Sequence, residues 1–460
     1  MALPDRAYHF IGVGGIGMSA IAQILVEQGY RVSGSDLGQN RITAKLASKG
    51  ATIYHGHRAD QVPENAIVIC STAIQGTNPE VQRAQELGLP MLHRSDILGE
   101  LIAQHRRSVA VGGTHGKTTT SSLISFLLLR AGLDPTIVVG GEVSAWQGNA
   151  RLGHSSILVA EADESDGTLV KFAPHLGVIT NMELDHTDHY QSLEQVVTTF
   201  QEFAARCAVV VACVDCPTVR SHLRPDISYS LEQSESDYTL RQVQYSSQGS
   251  SAHVYERGCF LGELNLGVLG RHNLSNALGA IAVCRYLGVP WASLAAALPE
   301  FVGASRRFEI KGSWDGITLV DDYAHHPSEI RVTLAAARLR SPQVVAIFQP
   351  HRYSRIHSLL TEFGGAFGDA DRVIVTDIYA AGEKNIYGLS GDQVAAVVAE
   401  HHTQVSYQPT LADVQSHLQH TLKSGDLAVF LGAGNLNQAI APTLAALREF
   451  RAISHPVSAG

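Results

Sequence analysis

The sequence predicts an α/β chain of three units, each a largely parallel sheet flanked by helices, and three observations carry that prediction. Short apolar runs of strand length alternate with amphipathic helical stretches along most of the chain, the pattern of βαβ units. Two glycine-rich turns, at residues 12–17 and 112–118, each sit between such a run and a helix. The 460 residues also exceed what one ordinary core holds, since domains cluster near about 150 residues.

The elements follow in order. Strands are expected at residues 8–13, 31–34 and 66–70, with a helix over 18–28 closed by Gly29 and a turn-rich segment at 71–76. A new strand at 108–111 follows the charged Gln104-His105-Arg106-Arg107, so the first boundary falls near residue 106. The units are then 1–106, 107–305 and 306–460. In the second, a helix over 119–130 and strands at 156–160, 176–180 and 208–212 lead into a Ser- and Gln-rich stretch around 230–256, read as an added antiparallel piece. A helix opens at Gly270-Arg271-His272-Asn273 and runs to about residue 287. Residues 301–312, with Arg306-Arg307 and flanking glycines, read as a hinge. Strands at 317–320, 344–348, 372–376 and 427–431 then alternate with helices in a third α/β unit.

Composition narrows the function. A formal charge of -9 without any basic run argues against a dedicated nucleic-acid partner. The start, Met1 to Arg6, lacks the charged and apolar pattern of a secretory leader. The apolar stretch at 123–129 is far too short to cross a bilayer, so no membrane partner and a cytoplasmic location are expected. Six cysteines make no disulfide framework, and Cys213-x-x-Cys216 lacks a second pair, so these read as two thiols beside a buried strand.

Five segments carry chemistry. Gly12-Val13-Gly14-Gly15-Ile16-Gly17 is a complete G-x-G-x-x-G between a strand and a helix, with Asp36 at the end of the next strand. Glycines admit a diphosphate to the backbone, and the helix start supplies oriented N–H groups. The second is Gly112-Gly113-Thr114-His115-Gly116-Lys117-Thr118-Thr119. Val111 stands where the strict Walker pattern wants glycine, yet backbone N–H groups, the Lys117 ammonium and the Thr118 hydroxyl still suit nucleotide phosphates and Mg²⁺. Third, Glu161-Ala162-Asp163-Glu164-Ser165-Asp166 follows a strand, where hard oxygen ligands for Mg²⁺ belong, although four carboxylates cannot all be ligands. Fourth, Asn181 to Tyr190, with His186 among amide and carboxylate groups, ends another strand and points to a metal or substrate role. Fifth, Asp321-Asp322-Tyr323-Ala324-His325-His326-Pro327 and Phe348-Gln349-Pro350-His351-Arg352-Tyr353-Ser354-Arg355 follow strands of the third unit. Two arginines three apart suit a carboxylate or phosphate clamp.

Taken in order, these segments resemble the Mur ligases over almost the whole chain. The likeness rests on residues 12–18, 113–120, 160–166, 181–190, 270–276, 306–308, 321–327 and 348–355, eight ordered matches across three units. It implies Rossmann-like N- and C-terminal domains around a central P-loop ATPase domain. The glycine start ending in Met18, with Asp163-Glu164-Ser165-Asp166, looks most like the alanine-adding branch. By that resemblance the diphosphate is that of UDP-N-acetylmuramate rather than NAD. It would meet Gly14, Gly15, Gly17 and Met18, with Asp36, Ser71 and Thr72 toward the uridine. Gly113, Thr114, His115, Gly116, Lys117, Thr118 and Thr119 would hold ATP, with His272 and Asn273 at the nucleotide, Asp322 at its ribose and Arg307 near its phosphates. Thr118, Glu161 and His186 would ligate magnesium. His325, His351, Arg352 and Arg355 would line the muramate carboxylate and the incoming L-alanine, and Lys117, Glu161, His186, His325 and Arg352 would be catalytic. Ala324 replaces a frequent glycine, and Leu184 and His189 depart from the usual wording, so His189 inherits no role. Lys171 is not given the carbamylated-lysine role of some relatives.

The activity so implied is ligation through an acyl phosphate, with ADP and phosphate as products, by a monomer or homodimer. Three rivals leave segments unexplained or share them: a ligase that attaches a preformed peptide to UDP-N-acetylmuramate, an NAD-dependent dehydrogenase, and a nucleotide-switched binding module.

Overall fold

A computed structural model describes residues 6–187 and 189–454. Asp188, within the fourth segment, and the first five residues lie outside the described residues. The described residues build three sheets, each with helices against it.

The first sheet is wholly parallel, in the order Thr52–His55, Val32–Asp36, Ala7–Ile11, Ala66–Cys70, Met91–His93. The order reverses at the central strand Ala7–Ile11, which puts the Gly12 turn at a switch point, where open α/β sheets leave a crevice. The three expected strands are present, but two more are added at the edges. Thr52–His55 and Met91–His93 are short and half exposed, so neither carries the continuous apolar run that marks a buried parallel strand.

The second sheet has ten strands. Six parallel neighbours, from Ile227–Ser230 through Val209–Cys213, Leu176–Ile179, Arg107–Gly112 and Ile157–Glu161 to Thr136–Val143, form its middle. Gly148–Arg151 closes one end antiparallel to its neighbour. Tyr238–Ser246 joins Ile227–Ser230 in parallel, and from it the Ser- and Gln-rich stretch does continue as antiparallel structure, through Gly249–Glu256 and on to Cys259–Leu266 at the other end. Helix Lys117–Arg130 drives Leu123, Ile124, Leu127 and Leu128 into the core against Val109, Val111 and Val159, together with Leu278 and Ile281 of helix Arg271–Tyr286. Each such side chain contributes about 1.5–3 kcal/mol by burial. The helix begins at Lys117, two residues before the expected start, because Gly116 takes a left-handed φ of 81° and ends the turn there.

The third sheet runs Glu309–Trp314, Ile317–Asp322, Asp426–Leu431, Gln343–Phe348, Arg372–Val375, Val405–Tyr407, parallel except for the first pair. Of the segment 301–312 read as a hinge, the last four residues belong to the edge strand Glu309–Trp314, and positive φ angles stand just before it, at Arg306 (59°) and Phe308 (51°). Among the described residues, no helix is long and apolar enough to cross a membrane.

Candidate active site

The phosphate loop is built by contacts to the neighbouring strand end. Gly113 has φ 135°, and a Cβ there would lie 1.9 Å from Thr180 Oγ1, so only glycine fits. The Asn181 side chain accepts from His115 N–H at 2.8 Å and donates to His115 C=O at 3.0 Å. The Thr114 hydroxyl accepts from Glu183 N–H at 2.8 Å. Loop and strand end are thus one stitched unit.

Lys117 Nζ folds over this loop, donating to the carbonyls of Gly113 (2.7 Å) and Thr114 (3.2 Å) and to Glu164 Oε1 (2.8 Å). Burial works against its charge, but Glu164, Asp163 and Glu161 outweigh burial and hold the ammonium well above its ordinary range. Glu161 accepts from Gly140 N–H at 2.8 Å and from the Thr118 hydroxyl. A Cβ on Gly140 would sit 2.4 Å from the Glu161 carboxylate, so this side chain lies in a cradle closed by backbone. Burial raises its pKa despite Lys117. His186, at a left-handed φ of 51°, brings Nε2 within 3.5 Å of Glu164 Oε1. The Thr118 and Glu161 oxygens form one pair of donors, and Glu164 with the His186 imidazole a second, both of kinds that Mg²⁺ accepts. Glu164 has an oxygen, Oε2, buried without a hydrogen-bond partner, the kind of vacancy an ion or a donor fills.

Seven of the residues expected at the nucleotide line one cavity: His115, Gly116, Thr119, His272, Asn273, Arg307 and Asp322. Three elements far apart in sequence supply them. Asn273 is fixed by donating to Leu269 C=O at 2.7 Å. Burial and the nearby Arg307 lower the His272 pKa to about 4, so its ring is neutral. Asp322 accepts from the N–H groups of Phe308 (2.7 Å) and Ala324 (2.8 Å), and burial lifts it to about 6. A larger cavity, between the first and second units at Glu27, Lys45, Trp146 and Phe301, contains none of the expected residues.

The third unit closes over the loop. His115 Nδ1 donates to Glu329 Oε1 at 3.3 Å, and Arg355 Nε and Nη2 donate to Asp185 Oδ1 at 3.2 and 3.1 Å. Burial alone would raise Asp185; Arg355 outweighs it and holds the carboxyl far below the usual range. Arg355 Nη1 also donates to His351 Nδ1 at 3.2 Å, and the His351 ring stacks on Tyr379 at 5.7 Å. The rings of His325 and His351 stand edge to face at 5.8 Å. His325 Nδ1 donates to Tyr323 C=O at 2.8 Å, which leaves Nε2 as an acceptor, and burial lowers its pKa to about 4. Arg352 caps helix Tyr353–Gly364 at φ 67° and lies 3.8 Å from Glu383.

At the first sheet, Gly14 N–H donates to Asp36 Oδ2 at 2.8 Å, and Gly38 N–H to Oδ1 at 3.0 Å. Asp36 therefore braces the glycine turn. The turn after Ala66–Cys70, with Ser71 and the exposed Thr72, reaches the same place, since a Cβ on Gly12 would meet Ile74 at 3.2 Å. A Cβ on Gly17 would lie 3.2 Å from the Arg94 guanidinium, which pairs with Asp163 (2.8 Å) and Asp166 (3.4 Å) of the second unit. Gly15 starts helix Ile16–Glu27. The Met18 side chain is buried in the first core, so its helix-start N–H is what it can offer a ligand.

Arg94, Glu164, Asp185, Glu329 and Glu383 are polar partners that sequence reasoning did not single out. His189 packs on Tyr190, and Lys171 pairs with Asp96 at 2.6 Å. All six cysteines are free, with Cys216 Sγ against the Met182 backbone.

The three divisions of the Mur ligase family match this chain in order: the "Mur ligase family, catalytic domain" over residues 7–106, the "Mur ligase middle domain" over 111–284, and the "Mur ligase, glutamate ligase domain" over 306–434. The chain belongs to the Mur ligase family. Its α/β architecture of three units is the family's. This Mur ligase is 56% identical to the UDP-N-acetylmuramate–L-alanine ligase of Thermosynechococcus vestitus over 98% of each chain. It is 55% identical to the protein of that name from Nostoc punctiforme, over 96% of this chain and 97% of the other. Among solved structures it is similar to the UDP-N-acetylmuramate–alanine ligase of Thermotoga maritima, with a TM-score of 0.84 and 29% identity over 97% and 100% of the two chains. The murein peptide ligase of Psychrobacter arcticus shares the fold, with a TM-score of 0.72 and 23% identity over 96% and 98%.

Proposed function

We propose that this chain joins L-alanine to the lactyl carboxylate of UDP-N-acetylmuramate, consuming ATP and releasing ADP and phosphate, as a step of peptidoglycan precursor synthesis in the cytoplasm. The observation that carries the reading is the buried Arg355–Asp185 pair. It sets an anion-binding arginine of the third unit against the strand end that bears His186 and frames the phosphate loop. The extent of identity with relatives bearing that activity supports the same substrates.

The roles follow from chemistry. A carboxylate repels an attacking amine, so it must first become an acyl phosphate with a leaving group. Lys117, freed from the loop carbonyls by nucleotide, would hold the phosphates. Thr118 and Glu161 would hold one Mg²⁺, and His186 with Glu164 a second; when bound, these ions supply positive charge to the transferring phosphoryl group. Gly14, Gly15, Gly17 and the Met18 N–H would cradle the UDP diphosphate, with Asp36 bracing that turn. Arg352, Arg355 and His351 would orient the carboxylates, and the closed third unit would keep water from the acyl phosphate. The neutral His325 would accept a hydrogen bond from the incoming amine through Nε2, orienting it; a conjugate acid near 4 is too strong to store the proton. The domains would divide at 1–106, 107–305 and 306–460.

The test uses purified protein with UDP-N-acetylmuramate, ATP and Mg²⁺. Phosphate release that requires L-alanine, with formation of the amide product, is the expected result. Release independent of the amino acid would sink the reading, and a preference for tripeptide over L-alanine would transfer it to the peptide-adding kind.

A further inference from the structure

His115, Glu183 and His326 come from three segments and two units, yet their ligand atoms all lie within 4.8 Å of one another. His115 belongs to the phosphate loop, Glu183 to the next strand end, and His326 caps helix Pro327–Arg340 of the third unit. Three observations concern what this cluster does. First, His326 is 5% exposed and its Nε2 has no hydrogen-bond partner. His115 Nε2 is likewise buried, with the Glu183 carboxylate facing it, and the two rings are 4.8 Å apart; an ion bound there takes the place of the His115 ring proton. Second, His115 Nε2 stands 3.5 Å from Glu183 Oε2. Donors on a tetrahedral ion with bonds of about 2.0–2.1 Å are separated by about 3.3 Å. Third, the outer contacts a metal site needs are already made. Glu329 accepts from His115 Nδ1, which fixes that ring with Nε2 toward the cluster, and Ser328 Oγ donates to Glu183 Oε2 at 2.9 Å.

We propose that His115, Glu183 and His326 form a site for a zinc-class divalent cation that ties the phosphate loop to the third unit. Two imidazoles and one carboxylate select Zn²⁺ or Co²⁺ over Mg²⁺, which prefers oxygen donors. This site is separate from the Thr118, Glu161 and His186 set. Binding through His326 Nε2 moves the ring proton to Nδ1, which gives up only the long 3.3 Å contact from Ser328 N–H. Because His115 and Glu183 also line the nucleotide cavity, the ion and the nucleotide compete; that part rests on the nucleotide reading above.

Full-length protein stripped with a chelator is titrated with Co²⁺ and Zn²⁺, followed by Co²⁺ absorption and calorimetry. One equivalent of Co²⁺ with intense visible d–d bands and no sulfur charge-transfer band is expected. Affinity should fall at least tenfold in both His326→Ala and Glu183→Gln, the second being nearly isosteric so that loss of folding is not the cause. A thiolate charge-transfer band, absent stoichiometric binding, or unchanged affinity in a folded Glu183→Gln protein would overturn the site. Zn²⁺ should raise the apparent KM for ATP. Stoichiometric Zn²⁺ without that effect upholds the ion site and overturns only its overlap with the nucleotide.

Discussion

Arg355 and Asp185 meet between the third and second units, with side chains 7% and 5% exposed and two guanidinium N–H groups directed at one carboxylate oxygen. Truncating either partner leaves a buried charge without compensation, which costs about 3–5 kcal/mol. That penalty falls on closure of the third unit rather than on any one core. Arg355→Ala should therefore lower kcat/KM at least about a hundredfold while the melting temperature moves little. Steady-state phosphate release and calorimetry check both halves.

Lys117→Ala removes the cation that three loop and acidic contacts position. Turnover should fall about 10²–10³-fold, with unchanged circular dichroism. Lys117→Arg should not restore it, because a planar fork cannot replace a compact ammonium among the Gly113 and Thr114 carbonyls and Glu164. Recovery of near-normal turnover in either variant would remove Lys117 from its role.

How much of this was legible beforehand depended on where a residue's partners lie. Glu161 closes a strand and Lys117 and His186 lie a few residues beyond strand ends, so a local reading expects all three at the sheet's carboxyl edge. Glu164 sits in a run of four acids, and only the fold shows that it faces both Lys117 and His186 while Asp163 and Asp166 turn to Arg94. Arg94 itself opens a helix in the first unit with no surrounding pattern, and its significance is wholly tertiary. For Met18 the motif names a residue without saying whether side chain or backbone is used, and only the fold, which buries the side chain, points to the backbone. The edge strands at 52–55 and 91–93 escaped notice because half-exposed pairs lack a periodic signature.

Gly140→Ala tests the cradle behind Glu161. A Cβ there would press 2.4–2.6 Å against the carboxylate and displace it. The Mg²⁺ concentration for half-maximal activity should rise by about tenfold, with little change in stability. An unaltered Mg²⁺ dependence would take Glu161 out of the ligand set.

Arg94→Ala should raise the KM for UDP-N-acetylmuramate about five- to thirtyfold, from charge-assisted bonds contributing about 1–2 kcal/mol. The KM for ATP should stay nearly constant, since Arg94 adjoins Gly17 rather than the nucleotide cavity. A larger effect on ATP than on the UDP substrate would contradict this placement.

His115 supplies a pH dependence. Burial opposes its charge, but Glu183 and Glu329 raise its pKa from 6.5 to about 10. A raised value means the folded, closed form binds more protons than the open chain between those limits. Its contribution is complete below about 6.5 and is lost as pH rises through about 10. The effect is on the order of 1–3 kcal/mol, given its coupling to Glu183. Stability of the wild type should fall from pH 7 to 10, and His115→Gln should flatten that decline; equal slopes in chemical denaturation would count against the ion contacts.

The start of helix Pro327–Arg340 has a mechanical meaning. His325, the capping His326, Ser328 and Glu329 are braced by a capping box and a proline at the first turn, so they travel as one solid piece. Their partners, His115 and Glu183, belong to the equally stitched loop and strand end. Two stiff parts docked through several contacts at once behave like a latch rather than a spring. Turning one part against the other strains all of those contacts together, so they give way as a set rather than one by one.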